Sequence, residues 1–210
     1  MPKVTYKPEE VRQLLLPLPE RYRTMAILAA VTGVRASELF ALSWADIDFD
    51  RQALHIRRSF YRGEFGPPKS KAGERAIAIG PGLTGLLASH RQRRTADSRA
   101  LVFPNAAGKP YDPSNLVKRV LRPAMRSLSL PETGWRGFRR AVATALSELR
   151  EPVKTAQQLL GHSSPETTLG IYAQSVEESE RRTMLKLEEL MFPNVPTLGG
   201  SPNDGSKLIN

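Results

Sequence analysis

No cysteine occurs in the 210 residues of this chain. Disulfides, thiolate nucleophiles and Cys-based zinc or iron–sulfur sites are thereby excluded, and a reducing, cytoplasmic compartment is the expectation. Long apolar runs are also lacking: none approaches the ~18 residues that a membrane span requires. The opening MPKVTYKPEE has no apolar core of the secretory kind. Acidic residues are the minority, 21 Asp+Glu against 31 Lys+Arg, which leaves a formal charge of +10. Such a surplus points to a polyanionic partner, because a cationic surface attracts phosphate and releases condensed counterions. The plain alternative is a protein that is basic for no functional reason. With 40% hydrophobic and 25% charged residues the composition is that of a globular protein. The length suits one domain, or a domain with an appendage.

No internal repeat is visible, and most of the chain reads as helix. Pro8, Glu9 and Glu10 make a good first turn, with φ fixed at the start and acids at the positive dipole end, leading into Val11, Leu14, Leu15 and Leu16. Glu20–Thr32 follows, with an apolar stripe of Met25, Ile27, Leu28 and Val31, and Gly33 is placed to stop it. Ala36–Leu42 reads as a third helix. The period then changes: Ala53–Tyr61 and Arg75–Ile79 favour strands, and the connection RGEFGPPKSKAGE between them carries Lys69 and Lys71 among turn-forming Gly and Pro. Helices resume at Ser114–Ser127, opened by Asp112-Pro113, then at Arg136–Arg150, Val153–Leu160, Glu166–Tyr172 and Val176–Leu190. The fold class expected is α+β, helices around a small antiparallel sheet. Residues 1–191 form the expected domain, and Phe192–Asn210, rich in Pro, Gly, Ser and Asn, reads as a flexible tail.

Three segments carry chemically useful residues. In TGVRASELFALSW, Arg35 follows a helix stop and Glu38 lies one turn along the next helix. Taken alone, these two make an ordinary surface i,i+3 ion pair. In TGWRGFRRAVATAL, Arg136, Arg139 and Arg140 crowd the start of a helix, which is also how a solvated basic face looks. In LLGHSSPETTLGIYAQS, His162 sits in a Gly/Ser turn ten residues before Tyr172; singly, one is a turn residue and the other a half-buried aromatic.

In order and spacing, the three segments resemble the catalytic domain of the tyrosine recombinases, also called phage-type integrases. That family's first box, T-G-x-R-x-S-E-L, is matched by Thr32 to Leu39. Its hairpin lysine is matched by Lys71 in Ser70-Lys71-Ala72-Gly73, with Lys69 in reserve. The second box, H-x-x-R, is matched by Arg136-Gly137-Phe138-Arg139, and the third by Leu160-Gly161-His162-Ser163-Ser164, Thr167-Thr168-Leu169 and Tyr172. The resemblance runs from about Tyr6 to Arg182 and implies a site-specific recombinase or integrase acting on double-stranded DNA.

Its implied site is Arg35, Lys71, Arg136, Arg139, His162 and Tyr172. Tyr172 would be the nucleophile, Arg35 and Arg139 would clamp the scissile phosphate in guanidinium forks, and Lys71 would protonate the leaving 5′ oxygen. His162 would contact the phosphate or assist proton transfer at Tyr172, and Glu38 would orient an arginine. A 3′-phosphotyrosyl intermediate keeps the energy for rejoining, so neither a cofactor nor a metal is expected. The resemblance further suggests a homotetramer on DNA, with Val176–Leu190 able to dock on a neighbour.

Two features depart from the family. Arg136 stands where the family has His, and an arginine cannot give up its proton near neutral pH. The family's N-terminal helical domain is expected to be absent, since the boxes begin so early. Both features favour the alternative of a DNA-binding relative that no longer cuts, whereas the retained Arg35, Lys71, Arg139, His162 and Tyr172 oppose it. The charge itself is testable. Affinity for duplex DNA is expected to fall with salt with a log–log slope of about −0.9 per neutralised phosphate; a slope near zero in a salt titration would remove the electrostatic case for a nucleic-acid partner.

Overall fold

The computed structural model describes residues 5–93, 97–164, 166, 168 and 169. Tyr172, the helix expected at Val176–Leu190 and the tail expected at 192–210 lie outside these residues.

Helix α1 (Pro8–Leu15) begins as the sequence dictates, with Pro8 in its first turn and the Glu10 carboxylate accepting from the Lys7 backbone N–H at 2.7 Å. Helix α2 (Glu20–Thr32) is central: it packs against α1, the short α3 (Ala36–Leu39), α4 (Pro81–Gln92) and α7 (Trp135–Glu148). Thr24, Met25, Ala26, Leu28, Ala29 and Thr32 are accordingly buried on more than one face. Val31, placed in the apolar stripe by periodicity, is instead 56% exposed. Gly33 ends α2 in the left-handed region at φ 63°. A side chain there would also be driven to 2.7 Å from Leu160, so glycine suits both the turn and the close packing of α2 on α8 (Val153–Leu160).

Helix α3 stops at Leu39, three residues before the sequence-based end at Leu42. The chain beyond it is claimed by a crossing segment: Val102 N–H donates to Leu42 O at 2.9 Å and Trp44 N–H to Ala100 O at 3.1 Å. Two small antiparallel sheets replace the single one expected. The first has the order β1-β2-β5, from β1 (Ile47–Asp48), β2 (Ala53–Ile56) and β5 (Arg75–Ala78). The second pairs β3 (Ser59–Tyr61) with β4 (Glu64–Gly66). The strand expected over Ala53–Tyr61 is thus divided at Arg57-Arg58, and beyond it Arg62 and Gly63, both at positive φ (51° and 90°), fold Glu64–Gly66 back on Ser59–Tyr61 as a two-residue hairpin.

Leu54, Ile56, Ile77 and Ile79 point one face of the larger sheet into the core that also holds Leu83 and Leu87 of α4. The following helical run comprises α5 (Pro113–Leu116), a π-helical stretch over Val117–Leu121 and α6 (Arg122–Ser127). Asp112 caps it, accepting from Asn115 N–H at 2.8 Å. Among the described residues no helix is long and apolar enough to cross a membrane.

The start of α7 is fixed by the N-terminal strap. Tyr6 is 1% exposed, and its hydroxyl donates to Pro131 O while accepting from Thr133 N–H. A Cβ on Gly137 would fall 2.0 Å from Thr133 Oγ1 and 2.6 Å from the Tyr6 ring. Gly137→Ala is therefore expected to destabilise the protein by about 1–3 kcal/mol, against the ~1 kcal/mol gain that alanine brings to a helix. Denaturant unfolding measures the difference, and a variant more stable than the parent would contradict this packing.

Candidate functional site

The site is built around the carboxylate of Glu38, which is 1% exposed. The extended backbone at Arg35 and the left-handed Gly33 aim the first turn of α3 so that Glu38 reaches back to its own start. Its Oε2 accepts from the Arg35 backbone N–H at 3.0 Å, and its Oε1 accepts from Arg35 Nη1 at 2.7 Å. The same carboxylate accepts from Arg75 Nη2 at 3.1 Å, across from the first residue of β5. Burial pushes the Glu38 carboxyl up, but the hydrogen bond and charge of Arg75, followed by the backbone and side-chain hydrogen bonds of Arg35, outweigh it and hold the group below the ordinary carboxylate range. What the sequence alone presents as a surface ion pair is a buried, shared one.

Apart from Arg75 Nη1, which donates to Gly73 O at 2.8 Å, the remaining guanidinium bonds go to helix ends. The last carbonyls of a helix lack intrahelical partners and carry the negative end of its dipole. Arg139 of α7 donates to Gly33 O, the cap of α2, at 2.7 Å and to Leu160 O, the end of α8, at 2.5 Å. Arg35 Nη2 donates to Gly161 O at 2.7 Å, and Arg75 Nε donates to Leu159 O at 2.8 Å. Three guanidiniums thus gather near one carboxylate, which pairs directly with Arg35 and Arg75 while Arg139 is held by backbone carbonyls, leaving two positive charges uncompensated. Burial first, then the Arg35 and Arg75 charges against the opposing pull of Glu38, push Arg139 down to about 9, which still leaves it charged at neutral pH.

Gly161 closes α8 in the left-handed region at φ 62° and turns the chain so that His162 follows. The imidazole is buried, with Nδ1 2.8 Å from Thr168 Oγ1, and its backbone is tied to Gln157 in both directions. Burial, then the charges of Arg139, Arg35 and Arg75, push His162 down to about 4. At neutral pH it is an uncharged ring, able to donate from one nitrogen and accept at the other.

Lys71 opens a short 3-10 turn, Lys71–Gly73, that lies against this cluster. A Cβ on Gly73 would be 3.8 Å from Arg35 Nη1, and one on Gly161 would be 2.7 Å from Ala72 O. Lys69 and Lys71 are both exposed. Arg136 is exposed in the first turn of α7, while Arg139, three residues on, turns inward. The structure therefore brings together Arg35, Arg139, His162 and the turn that carries Lys71, and leaves Arg136 at the solvent edge. Tyr172 lies outside the described residues. Among those residues no three His, Asp or Glu side chains gather as a metal site would need.

Arg75 is the site residue that motif reading misses. Strand parity would have found it, because Arg75 shares with the buried Ile77 the inward face of β5, a parity that the buried Ile79 just beyond the strand continues. A charged residue on that face has to be paired.

The model of the phage integrase family matches residues 5–179 of the chain. Among curated relatives, a tyrosine recombinase XerC-like protein of Caldanaerobacter subterraneus subsp. tengcongensis is 27% identical over 214 residues, covering 90% of this chain and 54% of the relative. The integrase of Staphylococcus phage L54a is 25% identical, covering 82% and 54%. The chain spans about half the length of these curated relatives. Among solved structures, the Tn1549 transposon integrase in complex with transposon right end DNA superposes with a TM-score of 0.76 at 23% identity, covering 89% of this chain and 67% of that one. The XerA recombinase gives 0.69 at 20% identity, covering 86% and 64%. At such identities the structural likeness establishes the fold.

The depressed His162 has a consequence for stability. Between about pH 6.5 and about 4 the unfolded chain's imidazole binds a proton that the folded one refuses. The folded state is therefore expected to lose stability as pH falls through that window, at up to about 1.4 kcal/mol per pH unit from this group. Melting temperatures of the DNA-free protein between pH 7 and 4 should show the loss, and His162→Gln should flatten it. Parallel curves for the two proteins would mean that His162 is not held neutral by its surroundings.

Proposed function

Because the chain belongs to the phage integrase family, we propose that it is the catalytic domain, residues 1–191, of a site-specific recombinase that cleaves and rejoins double-stranded DNA through a 3′-phosphotyrosyl intermediate. The observation that carries this reading is the buried cluster of Arg35, Arg75 and Arg139 around a single carboxylate, with its surplus of positive charge. Such a cluster suits an anion that can approach Arg35 and Arg139 from the solvent side.

The chemistry follows from the groups present. The Tyr172 phenolate oxygen attacks the scissile phosphorus, forming the tyrosyl ester and breaking the bond to the 5′ oxygen. Arg35 and Arg139 offer hydrogen bonds to the non-bridging oxygens as charge builds on them. Fixed donors of this kind contribute about 3–4 kcal/mol each in other enzymes. The departing 5′ oxygen keeps the electron pair and takes a proton from the Lys71 ammonium. A neutral His162 donates to the phosphate or relays the proton lost by Tyr172. Attack of a 5′ hydroxyl on the phosphotyrosine reverses the sequence and reseals the strand, so no external energy source enters. Four copies assembled on two DNA duplexes would exchange strands.

Arg136 favours a second reading, a DNA-binding relative that does not cut, since it stands where the family places His and can only bind phosphate. Covalent adduct formation separates the two. On a nicked duplex carrying a sequence that the protein enriches from a randomised pool, the parent chain is expected to form a protein–DNA adduct that survives denaturation, and Tyr172→Phe to form none while binding with nearly unchanged affinity. Adducts persisting in Tyr172→Phe would move the nucleophile to another tyrosine; their absence from the parent chain would leave the binding reading.

A further inference from the structure

Arg75 does more than neutralise Glu38. Its side chain is 7% exposed, and each of its guanidinium nitrogens has a protein acceptor on a different segment. Nε donates to Leu159 O at 2.8 Å, Nη1 to Gly73 O at 2.8 Å, and Nη2 to Glu38 Oε2 at 3.1 Å. One planar group therefore joins the end of α8, the Lys71–Gly73 turn and the carboxylate that holds Arg35. The packing is tight: a Cβ on Gly161 would lie 2.8 Å from Arg75 Nη1 and 2.7 Å from Ala72 O. Lys71 is exposed, and its side chain makes no hydrogen bond or ion pair among the described residues. Its ammonium is consequently placed by the backbone of its turn. The turn's own bonds, Gly73 N–H to Ser70 O and Glu74 N–H to Lys71 O, fix its shape but not its position relative to the arginines. The bond from Arg75 to Gly73 O supplies that link.

We infer that Arg75 is a positioning residue for the acid step: it locks the Lys71 turn to α8 and to the Glu38–Arg35 pair, so that the lysine ammonium meets the leaving 5′ oxygen of a phosphate clamped by Arg35 and Arg139. The inference rests on the recombinase reading and on Lys71 as the acid. Arg75 itself does not touch the phosphate, because its side chain is 7% exposed against 26% for Arg35 and all three of its nitrogens, Nε included, face protein acceptors on Leu159, Gly73 and Glu38. Lysine cannot replace it: a single ammonium keeps the charge beside Glu38 but cannot span three separated acceptors.

The test is single-turnover cleavage on the nicked duplex described above, with either oxygen or sulfur at the bridging 5′ position. A sulfur leaving group departs without protonation and so bypasses the acid. Arg75→Lys is expected to cleave the oxygen substrate about 100-fold more slowly, at the lower end of what a general acid contributes. On the sulfur substrate it should stay within about threefold of the parent chain. Lys71→Ala should slow the oxygen reaction in the parent chain but add little in the Arg75→Lys background, because two residues acting through one step are not additive. Equal slowing on both substrates, a parental rate on oxygen, or full additivity with Lys71→Ala overturns the inference. Should Arg75→Lys not be folded at the assay temperature, Arg75→Gln takes its place; if neither folds, Arg75 is a determinant of the fold and the inference is overturned. Failure elsewhere reads differently: no adduct from the parent chain removes the recombinase reading, and a Lys71→Ala chain that sulfur does not rescue removes Lys71 as the acid.

Discussion

One buried carboxylate organises the described part of this molecule. Glu38 is out of water, and an unpaired carboxylate there would be costly enough to be neutralised or expelled. It stays ionised because Arg35 Nη1, Arg75 Nη2 and the Arg35 backbone N–H converge on it. Each of those donors belongs to a segment that must then be present: the cap of α3 for Arg35, the first residue of β5 for Arg75. Removing either cation would strand the carboxylate, and removing the carboxylate would leave two guanidiniums facing one another. A four-residue helix and a four-residue strand, both too short to be stable alone, are thereby fastened together.

Helix ends provide the second fastening. Gly33 and Gly161 terminate α2 and α8 in the left-handed region, and the carbonyls exposed there and at Leu160 are the acceptors for Arg35 and Arg139. The glycines thus do two things at once. They stop the helices, and they deliver negative dipole ends to the place where cations collect. This geometry also accounts for the buried close approach of α2, α7 and α8, since a side chain at Gly33 would meet both Leu160 and Val142.

Much of this was legible in the sequence, for identifiable reasons. Gly33 announces a helix stop, Pro8 and Asp112-Pro113 announce starts, and T-G-V-R-A-S-E-L sets Arg35 and Glu38 one helical turn apart. The helical class follows from 3.6-residue periodicity. What was not legible depends on tertiary pairing. Nothing local shows that the Ala100–Val102 segment will take the backbone after Leu39, or that Glu64–Gly66 will pair with Ser59–Tyr61 through a two-residue turn. Arg75 escaped because motif reading attends to spacing between reactive residues and not to strand parity. That Arg136 is solvent-exposed while Arg139 is drawn inward also lies beyond a helical-wheel estimate, since the acceptors that draw Arg139 in belong to α2 and α8.

The unequal balance of charge is what would let this structural cluster receive an anion. A cluster serving stability alone would gain from a second carboxylate, because burial first, and then repulsion from the neighbouring guanidiniums, depresses Arg139 and keeps His162 uncharged. The repulsion is tolerated because each guanidinium is held by backbone carbonyls and cannot swing into water without leaving those acceptors unpaired. Donors fixed in this way need no reordering when an anion arrives, which is the condition under which electrostatic stabilisation of a transition state is most effective. In the proposed reaction the acid would come from outside the cluster, since the three arginines are held charged at neutral pH by fixed acceptors and His162 is neutral there. An exposed lysine on an adjoining turn would meet that requirement in the proposed reaction, provided that the turn is held in place relative to the cluster.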